Sequence, residues 1–273
     1  MSKHPPISTV VFDLGNVLVR WDPYGPFVGR LSDQATRAFL TEFDFATFNH
    51  RQDAGRTWAE ARLELERIAP EHVPAMDVYV EHMADSLLGP VPGTHALVQD
   101  LRDAGIRLLG LTNWSAETFH LAEPAAPAIG LLESVLVSGR ERVAKPDPAI
   151  FALLTQRYRL DPAGTVFVDD APANVAAGSA AGFDAIRFTA ADDLRAELVD
   201  RGIEIPRHLT VDGETFAVRR HDDGERFDWL SGPNPGYGFS SARSDGAASD
   251  GPALEASIRR FLSLVDPVTG YIE

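Results

Sequence analysis

The sequence predicts an α/β fold in which a parallel sheet with crossover helices is interrupted early by a helical cap and followed by a small β-rich module. Three observations carry this expectation. A short β-branched apolar run, ISTVVF at residues 7–12, ends on Asp13 as a buried parallel strand does. From about Leu31 to Leu88 the text changes to helical spacing. Beyond Pro90, strand-like and helix-like segments alternate, the pattern of a parallel sheet whose crossovers are helices.

The elements follow in chain order. QATRAFLTEF, TWAEARLELERIA and AMDVYVEHMADSLL read as cap helices, with breaks at Pro70 and Pro90. THALVQDLRDAG is a helix stopped by Gly105, and IRLLGLT is the strand after it. LLESVLVS is a further strand, and PAIFALLTQRY a helix after Pro146 and Pro148. GTVFVDD is a strand, NVAAGSAAG a helix and DAIRFT the last strand of the sheet. These boundaries give a main domain over 1–205, with its core at 1–20 and 91–205 and its cap at 21–90. Residues 206–273 form the C-terminal module. There HLTVDGETFAVRRHDDGERFDWLSG alternates in twos around a DDG turn, the signal of a β-hairpin. SSARSDGAASDGPA reads as a flexible loop, and LEASIRRFLSLVD as a short amphipathic helix. WLSGPNPGYGF, rich in aromatic and turn residues, suits either a contact surface or a packed sheet bracing the core.

Composition removes several classes of function. No apolar run approaches the roughly 20 residues that cross a bilayer, so no membrane partner is expected. MSKHPPISTVVFD lacks the basic-then-apolar layout of a signal peptide, which points to a cytoplasmic protein. With no cysteine, disulfides, thiolate catalysis and cysteine-bound metals are excluded. A net charge of −15 repels phosphodiester backbones, so nucleic acid is not an expected partner. The same charge repels small phosphates at long range. A phosphate site on this chain must therefore be made locally attractive by metal, lysine and backbone amides. Of the 25 basic residues only Lys3 and Lys145 are lysines. A lone internal lysine in an arginine-rich chain marks a place that wants a compact ammonium rather than a planar fork.

In an open parallel sheet the residues at the carboxyl ends of the strands face a common crevice. Here those ends carry Asp13, Thr112 and the pair Asp169 and Asp170, with Lys145 close by. Singly, an Asp after a strand is usually a cap or turn residue. Their joint order and spacing resembles the haloacid dehalogenase superfamily over about residues 7–190. VVFDLGNVL is similar to its first motif, LLGLTN to the second, VAKPDPAIF to the third and VFVDDAPANV to the fourth. The DLGNV wording is close to a branch containing sugar-phosphate phosphatases. The resemblance implies a Rossmann-like core with a helical cap between motifs one and two. It also implies a Mg²⁺-dependent hydrolase of small phosphate esters in which Asp13 is the nucleophile.

The roles are physically sensible. A phosphate dianion repels an attacking carboxylate, so the site must cancel charge first. Asp13, Asp169 and Asp170 bring three negative charges, and Mg²⁺ with Lys145 brings three positive ones. Mg²⁺ prefers six oxygen ligands, several of them waters. By resemblance its protein ligands are Asp13, the Gly15 carbonyl and Asp170, with Asp169 a ligand or a group behind the ligands. Thr112 and the Asn113 amide are placed to hydrogen-bond phosphoryl oxygens, Lys145 to contact the phosphate, and Asn174 to orient the metal surroundings or Lys145. Phosphoryl transfer to Asp13 would form an aspartyl-phosphate that water hydrolyses.

One position departs from the family. Most of its phosphatases carry a second Asp two residues after the nucleophile, which protonates the leaving group and later activates water. Here it is Gly15. General acid–base help contributes roughly 10²–10⁴-fold, so the gap demands an explanation. The enzyme could act on leaving groups that need little protonation, with a cap residue such as His50 or a water supplying the rest, although a surface histidine is the preferred reading of His50. It could be a 2-haloacid dehalogenase, since a halide needs no proton; but those enzymes need no metal, and the Asp169–Asp170 pair opposes that. It could also be a non-catalytic binding or regulatory protein, against which the full residue set argues.

Overall fold

The computed structural model describes residues 6–221, 224–242, 251–266 and 269–272. The chain divides into two compact units between Leu194 and Arg195.

The first unit begins with β1 (Thr9–Phe12), buried along its whole length. β2 (Val19–Trp21) follows, then the cap helices α1 (Asp33–Arg37), α2 (Phe45–Asp53), α3 (Trp58–Ile68) and α4 (Val73–Glu81). β3 (Leu87–Pro90) and α5 (Thr94–Asp103) return the chain to the core. β4 (Arg107–Thr112), α6 (Ala122–Ala125), β5 (Ser134–Val137), α7 (Ser138–Glu141), α8 (Pro148–Tyr158), β6 (Thr165–Asp169), α9 (Pro172–Ala180) and β7 (Asp184–Arg187) complete it. The five core strands form one parallel sheet in the order β5-β4-β1-β6-β7. This is the Rossmann-like architecture that the strand–helix alternation predicts. β1 lies in the middle of the sheet and is buried along its whole length, as a strand covered on both faces is.

The register places the functional residues. Phe12 is level with Gly110 on β4 and Val168 on β6. The next residue, Asp13, therefore emerges beside Leu111 and Asp169, and its N–H still bonds the Val168 carbonyl at 2.8 Å. Strand order turns outward from β1 on both sides, so the crevice opens above its carboxyl end.

The cap has its own core. Phe27, Phe39, Phe45, Trp58, Leu65 and Tyr79 are buried together there. α3 starts with a capping box in which Thr57 and Glu60 exchange bonds with each other's backbone. The helical reading up to Leu88 needs correction, because Leu87–Pro90 is a strand. It pairs antiparallel with β2, Val19 opposite Pro90 and Trp21 opposite Leu87. Gly89, at φ 87°, and Pro90 cannot continue a helix, and the backbone bonds are made instead to a segment almost seventy residues earlier. The QATRAFLTEF helix also differs, since α1 ends at Arg37 and residues 38–42 form a wider π-type turn.

α10 (Ala191–Asp200) spans the division between the units. The second unit is an antiparallel meander of β8 (Arg207–Val211), β9 (Glu214–His221), β10 (Gly224–Trp229) and β11 (Gly238–Ala242), followed by α11 (Gly251–Leu262). β9 and β10 are the expected hairpin; Asp222 and Asp223 of its DDG turn lie outside the described residues. A second hairpin joins β8 to β9 through Asp212 and Gly213, both at positive φ as a type I′ turn requires. The Ser-rich stretch read as a loop begins as a strand. Ser240–Ala242 pair with β10, drawn in because Phe239 stacks on Phe227 at 4.3 Å and on Phe261 at 4.7 Å. Residues 243–250 lie outside the described residues. α11 presents Leu254, Ile258 and Phe261 at helical spacing to Phe216, Phe227 and Trp229.

Phe216, fully buried and in ring contact with Trp229, Phe239 and Phe261, centres this second core. Phe216→Ala should cost the second unit about 3–5 kcal/mol, read by urea unfolding of the full chain followed through tryptophan fluorescence. A loss below about 1 kcal/mol would show that the ring cluster is not its core.

Candidate active site

Four sequence segments converge above the carboxyl ends of β1, β4 and β6. Lys145 is their common partner and is 1% exposed. Its Nζ lies 2.8 Å from Asp13 Oδ1 and 2.6 Å from Asp169 Oδ2, and it donates to the Leu111 carbonyl at 2.8 Å. Three donors meet three acceptors, which satisfies the ammonium completely. Burial alone would lower the Lys145 pKa, but the Asp13 and Asp169 charges outweigh it and hold the pKa above the ordinary lysine value. The lysine stays charged.

Each partner is fixed in turn. Asn113 holds the Lys145 backbone from both sides, its Nδ2 donating to the carbonyl and its Oδ1 accepting from the N–H, both at 2.8 Å. Asn174, on the first turn of α9, donates to Asp169 Oδ1 at 3.0 Å and to Oδ2 at 3.2 Å. The Ala171 N–H adds a second bond to Oδ1. Asp169 is thus wholly committed to orienting Lys145 and the β6–α9 loop. Asp13 Oδ1 accepts from the Leu14 N–H at 2.7 Å as well as from Lys145. Burial raises the Asp13 carboxyl to about 6; Lys145 opposes the rise and Asp169 adds to it.

Oxygens of Asp13, Asp169 and Asp170 lie within 4.8 Å of one another. Burial first, and then the neighbouring Asp169, raise the Asp170 pKa. Three all-oxygen donors crowded beside a single ammonium fit a hard divalent cation such as Mg²⁺. Thr112 is buried at the end of β4, next to Asn113. Gly15 is half-buried, and no atom lies within 4 Å of the place a Cβ would occupy, so steric exclusion does not explain the missing carboxylate.

His50 is exposed on α2. Three residues on, Asp53 ends the same helix and comes into the field of Asp13 and Lys145, a placement sequence reasoning missed. The Ser115 backbone N–H donates to its carboxylate, tying the cap to the loop after β4. Burial raises the Asp53 carboxyl to about 7, with the Asp13 charge contributing and Lys145 opposing. The nearest signal in the text was the DAG triplet, in which Gly55 stops α2 at φ 94°.

Fold and site together are those of an acid-cluster hydrolase built on a Rossmann-like sheet. The chain belongs to the haloacid dehalogenase-like hydrolases, whose family model matches residues 7–182. It is 28% identical over 205 residues to hexitol phosphatase A of Escherichia coli, covering 75% of this chain and 90% of that one. It is 24% identical over 193 residues to the sesquiterpene phosphatase astK of Aspergillus oryzae, covering 67% and 90%. Mouse acyl-CoA dehydrogenase family member 10 is 27% identical over 224 residues, which are 81% of this chain but only 18% of that protein. Among solved structures, a family enzyme from Bacteroides thetaiotaomicron crystallised as a magnesium complex superposes with a TM-score of 0.58 at 22% identity, covering 71% of this chain and 99% of that one. Among the described residues no helix is long and apolar enough to cross a membrane.

Lys145→Met should leave Asp13 and Asp169 buried without their cation. Breaking such a pair costs about 3–5 kcal/mol, measurable by denaturant unfolding in the presence of chelator. A loss under about 1 kcal/mol would mean that the pair is not formed in solution.

Proposed function

We propose that the chain is a Mg²⁺-dependent phosphatase of small phosphomonoesters, sugar phosphates among them, that works through an aspartyl-phosphate on Asp13. The observation that carries this is the buried lysine shared by Asp13 and Asp169. It holds the nucleophile ionised and aimed while cancelling the charge that would repel a phosphate dianion. The phosphatase relatives support the substrate class.

Asp13 Oδ2, the oxygen not engaged by Lys145 or Leu14, together with Asp170 and the Gly15 carbonyl, would hold Mg²⁺; a solved relative of the same fold holds magnesium. Asp169, already saturated by Lys145, Asn174 and Ala171, acts from behind that set. When bound, the ion supplies charge neutralisation and a fixed orientation for a phosphoryl oxygen.

The chain's own residues do the rest. Thr112, and the Asn113 backbone N–H beside it, bind phosphoryl oxygens at the end of β4. The Asn113 side chain is committed to Lys145, so its role toward substrate is confined to the backbone. Lys145, its three N–H groups taken by Asp13, Asp169 and the Leu111 carbonyl, acts on the transferring group through its charge and is held too rigidly for a forked guanidinium to replace it. Asp13 attacks phosphorus in line, the ester bond breaks, and water releases phosphate from the acylphosphate.

Chelation with EDTA should abolish turnover of a phosphomonoester panel, and Mg²⁺ should restore it. Asp13→Asn should lower kcat by at least about 10³-fold with folding intact by circular dichroism, since the amide keeps shape but not nucleophilicity. Full activity in excess chelator, or near-native rates in the Asn variant, would contradict the proposal; halide release from 2-haloacids without metal would replace it.

A further inference from the structure

The phosphatase reading leaves one chemical requirement unmet. The leaving oxygen of an alkyl ester must be protonated as it departs, and Gly15 offers no carboxyl where the family usually has one. In-line attack by Asp13 pushes the leaving group away from the sheet, toward the cap. The proton donor should therefore be a cap residue that reaches the crevice.

Asp53 has this position. It is the last residue of α2, and the chain after it is pressed onto the core. Gly55 sits at φ 94°, and a Cβ there would lie 2.7 Å from Arg142 Cγ and 3.1 Å from both the Gly139 carbonyl and Arg142 Cα, so glycine suits this approach. The Trp58 N–H donates to Glu117 at 2.7 Å, a second clamp between cap and core. Arg56 secures the end of α2 by bonding Gln52, the Phe48 carbonyl and Glu64. Within this turn the Ser115 N–H donates to the Asp53 carboxylate, two residues beyond Asn113 and the phosphate-binding end of β4. The charged groups facing it from the core are Asp13 and Lys145; within the cap, Asn49 Nδ2 donates to its Oδ2 at 3.4 Å, and the Tyr79 hydroxyl lies within its field. The neighbouring cap carboxylates Glu64, Glu66 and Asp77 are all paired with arginine. Asp53 forms no ion pair among the described residues. A half-buried carboxyl within the field of Asp13 and Lys145 and given no ion-pair partner among the described residues is placed for proton transfer rather than for structure.

Resting on the phosphatase reading, we propose that Asp53 is the general acid and base of the reaction, supplying from the cap the carboxyl that Gly15 lacks. In the first half, Asp13 forms its bond to phosphorus as the P–O ester bond breaks. The Asp53 carboxyl gives its proton to the departing oxygen, releasing the alcohol and becoming carboxylate. In the second half, water attacks the phosphorus of the acylphosphate and yields one proton to Asp53. Phosphate leaves, the Asp13 carboxylate is restored, and Asp53 is again the acid.

The test compares wild type with Asp53→Asn on phosphate esters graded from 4-nitrophenyl to simple alkyl, with saturating Mg²⁺. The variant should lose roughly 10²–10⁴-fold in kcat/KM on alkyl esters and keep 4-nitrophenyl phosphate within about threefold, because nitrophenolate leaves without a proton. It should also show a pre-steady-state burst of nitrophenolate, because the water step has lost its base. An equal loss on both ester classes, or an undiminished alkyl rate, overturns the assignment. If the variant does not fold, the wild-type leaving-group dependence decides: a shallow dependence supports an acid, and a steep fall of kcat/KM with rising leaving-group pKa overturns it. Wild type that hydrolyses no phosphomonoester would instead remove the phosphatase reading, and this inference with it.

Discussion

The ammonium of Lys145, sealed between Asp13 and Asp169, is the contact around which the first unit is organised. A lysine at 1% exposure sits there only because two carboxylates and a carbonyl replace its water. Those partners come from β1, β4 and β6, so the parallel register of three strands has to be right for the charge to be tolerated. Asn113 and Asn174 then fix the two residues that could still move, the lysine's backbone and the aspartate's carboxylate. Such a network is costly to build and expensive to break, and structure alone gives little reason to keep it. It makes sense as the preparation of a nucleophile.

That preparation is a division of labour among like charges. Three carboxylates within 4.8 Å would suppress one another's ionisation if all were equivalent. They are not. Asp169 is spent on the lysine and on the α9 turn, Asp13 is held by one oxygen and left with the other, and Asp170 stands half-buried at the rim. A divalent cation held by Asp13 and Asp170 would complete the neutralisation. The strongly acidic surface is no obstacle, because attraction for an anion is needed only over the last few ångströms, where metal, lysine and backbone amides dominate.

The parts of this scheme differed in how far they could be read from sequence. The sheet and its acidic strand ends were legible because each depends on local text: VVFD, LLGLT and VFVDD are apolar runs that stop on polar residues, and their order carries the family resemblance. Lys145 stood out through composition. The strand at Leu87–Pro90 was not legible, since LL after a helix continues helical spacing and only its distant partner Val19–Trp21 makes it a strand. Ser240–Ala242 escaped for the same reason, being held by Phe239 on a ring cluster assembled from β9, β10 and α11. Asp53 was hidden because an Asp near a helix C-terminus ordinarily faces water. Its meaning depends on the close approach of Gly55 to Gly139, a tertiary fact with no local signature.

The proposed chemistry requires that Asp13 become covalently phosphorylated. Acylphosphates are reduced by borohydride, so rapid quenching of wild-type turnover into borohydride, followed by peptide mass spectrometry, reports the residue directly. The account predicts homoserine at position 13 and at no other aspartate, with a yield that rises and falls as substrate is consumed. Unmodified Asp13 throughout turnover, or reduction at Asp53, Asp169 or Asp170 instead, would contradict it.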